Sequence, residues 1–216
     1  MTNPNNTVEH NAVAGGTHFG YWYRMLRTPD GPSFAMYPNF CPHRQPFGRF
    51  YNNSVHSCGQ FGVWIFPEYA PTTGGSCWMD APYQVVFERL ISWRNTKGFE
   101  AVMSNVIQVK NSVVYDNVDM GIAYLTAIDH REINLPNLRQ TFYNISTGAS
   151  VINSVIIGDT GLASTPIAPW TGGLICMWTE IGRVRRFLLE MIFFFHLSRL
   201  GSRFPCPQCF ILQLSK

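Results

Sequence analysis

The stretch FYNNSVHSCGQFGVWIF, Phe50 to Phe66, lies without a gap over VEHNAVAGGTHFGYWYR, Val8 to Arg24. Identical residues fall at Asn11 and Asn53, Val13 and Val55, Phe19 and Phe61, Gly20 and Gly62, and Trp22 and Trp64. Taken alone, the stretch reads as a site, because Asn, Ser, His56 and Cys58 are concentrated among aromatics. Beside its copy it reads as one unit of a repeat. Two more segments fit the frame, VFERLISWRNTKGFEAV (Val86 to Val102) and VKNSVVYDNVDMGIAYL (Val109 to Leu125). A fifth, VINSVIIGDTG, starts at Val151, and its Gly161 comes two residues early.

The shared pattern is physical. An apolar residue opens each unit (Val8, Phe50, Val86, Val109), and a polar pair follows (His10-Asn11, Asn52-Asn53, Glu88-Arg89, Asn111-Ser112). An apolar residue returns (Val13, Val55, Ile91, Val114), and glycine comes seven positions later (Gly20, Gly62, Gly98, Gly121). Apolar alternation then resumes, which is strand, polar turn and strand with period two. Val86 and Val109 lie 23 residues apart, the length of one bare rung of a parallel β-helix at roughly 20–25 residues. The other intervals carry Pro-, Gly- and Asn-rich insertions at 28–48, 67–84 and 129–148, as loops should. The expected fold is all-β, a right-handed parallel β-helix of about five recognisable rungs with long loop insertions. It places Phe50, Val55, Val63 and Ile65 inward and Gly62 at a corner. A β-sandwich with irregular loops is the competing architecture.

Composition agrees. The 216 residues are 46% hydrophobic and only 13% charged, about half the usual charged fraction, as expected where like charges would otherwise stack between rungs. The net charge of +3 comes partly from arginines near the C-terminus, with no basic stripe over the body, so nucleic acid is not an expected partner.

Several residues invite chemistry. Asp116 and Asp119 form the alternative catalytic pair for glycoside hydrolysis; their spacing in a turn favours turn chemistry. Asp129, His130 and Glu132 open a long loop without a partner spacing. His56 and Cys58 would need further ligands at the same depth to bind a metal, so corner packing is expected for His56. Cys206 and Cys209 form a lone C-x-x-C, weak evidence for zinc or redox chemistry. No metal and no cofactor is expected. Trp22 and Trp64 occupy equivalent positions and read as a register-setting ladder rather than a sugar-binding face. Asn5, Asn52 and Asn144 head Asn-x-Ser/Thr tripeptides and are the candidate glycosylation sites. Cys41, Cys58, Cys77 and Cys176 are the candidate disulfide partners, and their pairing is open.

After about Gly182 the composition changes. The chain divides into a β-helix fragment, 1–181, and an atypical tail, 182–216, expected to be disordered or a short amphipathic helix. The apolar run Phe187 to Leu197 is too short to span a membrane. The front enters a rung directly and no signal peptide is visible, so the chain reads as the middle of a longer β-helix, poorly soluble alone.

NPNNTVEHNAVAGGTHFGYWYRM, PDGPSF, PFGRFYNNSVHSCGQFGVWIFPEY and GGSC resemble the β-helix region of the fibrocystin and fibrocystin-like family, over roughly residues 2 to 180. Between the two branches the resemblance leans to fibrocystin. It implies an extracellular, glycosylated, receptor-like ectodomain with G8 domains and parallel β-helix repeats. The family is linked to primary cilia, to tubule and duct epithelia and to hair-cell bundles. The implied function is non-enzymatic structure or recognition, with an unknown extracellular protein or glycan as ligand. Membrane contact would come only through other parts of the parent, at the extracellular face of the plasma or ciliary membrane. The architecture is also similar to that of the cell-surface hyaluronidases, which supplies the alternative of a polysaccharide-active, hyaluronan-degrading β-helix. No catalytic residue of that group matches a position here.

Overall fold

The computed structural model describes residues 1–78, 80–104, 106–127, 149–158 and 160, and residues 126–127, 172–175 and 188–194 as backbone only. Each rung contributes three strands. Rung one is β1 (Thr7–Glu9), β2 (Ala12–Ala14) and β3 (Phe19–Met25); rung two is β4 (Arg49–Tyr51), β5 (Ser54–His56) and β6 (Phe61–Tyr69). Rung three is β7 (Val85–Glu88), β8 (Ile91–Trp93) and β9 (Lys97–Ser104); rung four is β10 (Ile107–Lys110), β11 (Val113–Tyr115) and β12 (Met120–Ala127). They are followed by β13 (Ser150–Ile157), β14 (Gly172–Ile175) and β15 (Leu188–Phe194).

Every pairing between these strands is parallel, and the pairings define three faces. The first face is β1-β4-β7-β10-β13, the second β2-β5-β8-β11-β13 and the third β3-β6-β9-β12-β14. β13 runs through the bend and serves two faces, pairing with β10 through its first half and β11 through its second. The chain is therefore a parallel β-helix. β15 lies beside β13, from Ser150 with Leu188 to Ile156 with Phe194. LLEMIFF is apolar nearly throughout, which suits a strand against an open sheet edge. The rest of the tail lies outside the described residues.

The interior is a column of stacked side chains. Phe50, Phe87, Val109 and Val151 line the first face, Val55, Val114 and Ile156 the second, and Tyr21, Val63, Phe99 and Ile122 the third, all buried. The inward placement of Phe50, Val55, Val63 and Ile65 agrees with the repeat. Rung three does not follow the gapless frame. Phe50 pairs with Phe87, not Val86, and Val55 with Ser92, not Ile91. Gly62 and Gly98 still coincide, because Phe61 pairs with Lys97 and Val63 with Phe99. Rung three is thus one residue shorter at the bend after Asn95. The slip reverses faces: Ser92 is fully buried, and Ile91 is 41% exposed.

Two bends recur. At the first, His10, Asn52, Arg89, Asn111 and Asn153 all take positive φ, between 44° and 55°. At the second, Gly15, Ser57, Arg94 and Asp116 also take positive φ, between 50° and 70°. In rungs two to five the next residue turns inward, and where its side chain is polar it stitches rungs together. Asn53 Oδ1 accepts from the Asn11 backbone N–H, and its Nδ2 donates to the Val8 carbonyl. Ser112 Oγ accepts from the Leu90 N–H, and Ser154 Oγ from the Ser112 N–H. At the second bend Asn117 Oδ1 accepts from the Asn95 N–H, and Asn95 Oδ1 from the Cys58 N–H.

The recurring glycine stands just past the second bend, as the second residue of the third strand rather than at the corner itself, and what demands it is space rather than φ. A Cβ on Gly62 would lie 2.5 Å from the Gly98 carbonyl oxygen and 2.7 Å from Ser92 Oγ.

Two insertions pack on the end of the third face. The first carries a short helix α1 (Pro32–Met36) and a 3-10 turn, Pro42–Arg44. A disulfide joins Cys41 in it to Cys77 in the second, with Cα atoms 5.3 Å apart.

Candidate functional site

The outer surface carries the candidate chemistry, and the bends decide which side chains reach it. On the third face the outward aromatic residues of β3 and β6 are Phe19, Trp22, Phe61, Trp64 and Phe66. Trp22 stacks on Trp64 at 5.5 Å, Phe61 on Trp64 at 4.7 Å and Trp64 on Phe66 at 4.5 Å, the last two within 8° of coplanar. The ring faces are taken up by one another, and Lys97 lies 5.3 Å over Phe61. A pyranose stacks on an open ring face, so this arrangement works as a ladder that sets register. Its last step is electrostatic: Trp64 Nε1 donates to Glu100 Oε1 at 2.9 Å, and Lys97 pairs with Glu100 Oε2. Nothing in the local spacing marks Glu100, which is only 3% exposed.

On the second face His56 stacks on Trp93 at 4.2 Å, and Trp93 on Tyr115 at 5.8 Å with the rings 1° from parallel. His56 is therefore a stacking residue at the end of β5, and Ser57 Oγ lies 3.0 Å from its Nδ1. On the first face Tyr51 lies between two guanidinium groups, Arg49 at 4.6 Å and Arg89 at 5.2 Å. Arg49 also pairs with Glu9 at 2.6 Å. Beside them a groove of about 150 Å³ opens between Arg49, Glu88, Tyr83 and Gln84.

Asp116 is buried at the second bend, where its two carboxylate oxygens accept from the Thr160 N–H at 2.6 Å and the Thr160 hydroxyl at 2.7 Å. Asp119, half-buried, donates its backbone N–H to the Thr96 carbonyl. Both sit in turn chemistry; Asp116 ties two rungs together. The disulfide joins Cys41 to Cys77, while Cys58 is buried and free. It occupies the inward position that Asn95 and Asn117 hold in later rungs, and burial pushes its thiol pKa up. Asn5 and Asn52 are exposed, with Asn52 Nδ2 2.8 Å from His10 Nδ1. Asp129, His130, Glu132, Asn144, Cys176, Cys206 and Cys209 lie outside the described residues. Among the described residues no group of three His, Cys, Asp or Glu is placed to hold a metal, and no helix is long and apolar enough to cross a membrane.

One cluster escaped the sequence reading. Glu68, 8% exposed, pairs with Arg27 at 2.9 Å. Close by, His43 is buried with its Nδ1 unbonded, and desolvation holds its pKa below the ordinary value against the opposing pull of Glu68. These residues are far apart in sequence, so only the folded insertions bring them together.

Three parallel faces, recurrent left-handed bends and inward amide ladders define a β-helix, and residues 1–63 match the family described as CEMIP beta-helix. The chain is 52% identical to human Fibrocystin-L over 122 residues, 56% of this chain and 3% of that protein. It is 45% identical to the mouse protein over 158 residues, 73% of this chain and 4% of that one. It is a member of the fibrocystin-like family. Identity to dog Fibrocystin is 28% over 127 residues, 58% of this chain and 3% of that protein, so the similarity lies with the Fibrocystin-L branch, against the sequence expectation. Human Cell surface hyaluronidase CEMIP2 is 29% identical over 138 residues, 54% of this chain and 10% of that protein. The chain thus spans 3–4% of the length of the Fibrocystin-L relatives. No solved structure matches it.

Proposed function

We propose that this β-helix is a non-enzymatic recognition and spacing segment of an extracellular, receptor-type protein of the fibrocystin-like family. The observation that carries the reading is how the carboxylates are used. Asp116 ties rungs through Thr160, Glu100 anchors the Trp64 ladder, and Glu68 is held by Arg27. A glycosidase needs two carboxyl groups facing one cleft. The Cys41–Cys77 disulfide supports an oxidising, extracellular setting, where Asn5 and Asn52 would be open to glycans. A place at primary cilia and at tubule or duct epithelia belongs to the parent protein in this reading.

The alternative, a hyaluronan-degrading β-helix, draws on the likeness to a cell surface hyaluronidase and on the small polar groove beside Arg49. The test is to express the chain in secretory cells and incubate it with high-molecular-weight hyaluronan. The expected result is no change in polymer size. Depolymerisation that disappears in Asp116→Asn or Asp119→Asn would overturn the non-enzymatic reading.

A further inference from the structure

We infer that the outer second face, β5-β8-β11, is a docking surface for an acidic protein segment that presents an apolar side chain between carboxylates. This deepens the recognition reading and rests on it. Rung three places an exposed arginine at each end of β8, Arg89 and Arg94. Both hold φ of 53°, a conformation that Asn tolerates and a long side chain rarely adopts. The equivalent residues at the first bend are His10, Asn52, Asn111 and Asn153, and at the second Gly15, Ser57 and Asp116. Rung three alone carries a long cationic side chain at both bends, against local backbone preference. Such conformational cost collects at functional positions.

Neither arginine pairs with a carboxylate among the described residues. Arg89 rests on the ring of Tyr51, the last residue of β4, at the edge where the first face meets the second. Between the two, the outward side chains are apolar: Ile91 is 41% and Val113 36% exposed, flanked by the His56–Trp93–Tyr115 stack. An apolar centre rich in Trp and Tyr with arginine at its rim is the anatomy of a protein interface. A sulfated glycan would instead favour contiguous cations. The two bends are roughly 15 Å apart at ~3.3 Å per residue, which matches carboxylates four or five residues apart on an extended partner.

The test uses the whole chain and a fluorescent synthetic peptide with two glutamates on each side of a central Thr-Leu-Thr, followed by anisotropy. The peptide is expected to bind, more weakly as salt rises. The double variant Arg89→Asn/Arg94→Asn should weaken binding at least tenfold while its unfolding midpoint stays level or rises, since Asn relieves the bends. Lys110→Asn, a cation on the first face, should bind like the parent. Unchanged binding in the double variant, a lowered midpoint in that variant, or equal binding of a lysine-for-glutamate peptide would overturn the inference. So would saturation of the face by a heparin oligosaccharide with no binding of the glutamate peptide. The recognition reading fails separately, on hyaluronan turnover.

Discussion

Replacing Asn117 by alanine tests whether the inward amides hold the rungs together. Asn117 is buried, and its Oδ1 accepts from the Asn95 backbone N–H and from Asn95 Nδ2, both at 3.1 Å. Its Nδ2 donates to the Ser92 and Tyr115 carbonyls at 3.3 and 3.2 Å. Alanine leaves the Asn95 N–H without its acceptor in a fully buried bend. Asn95 Nδ2 keeps only Ser92 Oγ, at 3.0 Å. A buried donor left unsatisfied costs about 1–3 kcal/mol, and each lost neutral hydrogen bond about 1 kcal/mol. With some relaxation, the expected loss is roughly 3 kcal/mol. For a chain of this size that lowers the unfolding midpoint by roughly 6–12 °C. Tryptophan fluorescence through a urea titration reads the change, because Trp93 stands in the same rung, at the end of the strand that leads into this bend. Asn95→Ala removes the shared side-chain bond, Asn95 Nδ2 to Asn117 Oδ1, and keeps the bond from its backbone N–H, so the double variant should cost less than the two single losses added. A loss below about 0.5 kcal/mol, typical of surface substitutions, or strict additivity, would refute the reasoning.

Gly62→Ala should be more damaging than its chemistry suggests, by roughly 3 kcal/mol as overpacking against backbone, and its soluble yield should fall well below that of the parent chain. Loop-closure entropy for the 36-residue separation of Cys41 and Cys77 amounts to about 4 kcal/mol; Cys41→Ser/Cys77→Ser should open residues 28–48 and 67–84 to limited proteolysis while the rungs stay protected. His43 is buried with its folded pKa below the ordinary 6.5, so protonation favours the unfolded state. Its contribution is intact above about pH 6.5 and declines as pH falls toward the lower folded pKa. His43→Gln should flatten the stability profile in that window, and an unchanged slope in paired denaturant titrations would count against it.

Much of the fold was legible because a solenoid writes its structure into sequence as a repeat. The pairs Val13–Val55, Phe19–Phe61 and Trp22–Trp64 share a rung register in the folded chain, since stacked rungs must present the same side-chain type at the same depth. Asn11 and Asn53 coincide for a sharper reason, because one bonds the other. The pair behind the docking surface was half visible: Arg89 stood in the polar turn pair, but Arg94 stood out only once the bends were located.

The sequence by itself determined the parallel β-helix, the inward residues of rung two, and the family. Tertiary structure decided the register of rung three, the Cys41–Cys77 pairing and the meeting of Arg27, His43 and Glu68. In VVFERLISW the apolar residues are so dense that two registers one step apart both look satisfactory. Only pairing with the rungs above and below chooses Phe87 and Ser92 for the interior. The disulfide and the Glu68 cluster depend on how two insertions fold back over the third face, and no periodicity carries that contact. Local pattern suffices where neighbours repeat, and three-dimensional packing decides where they do not.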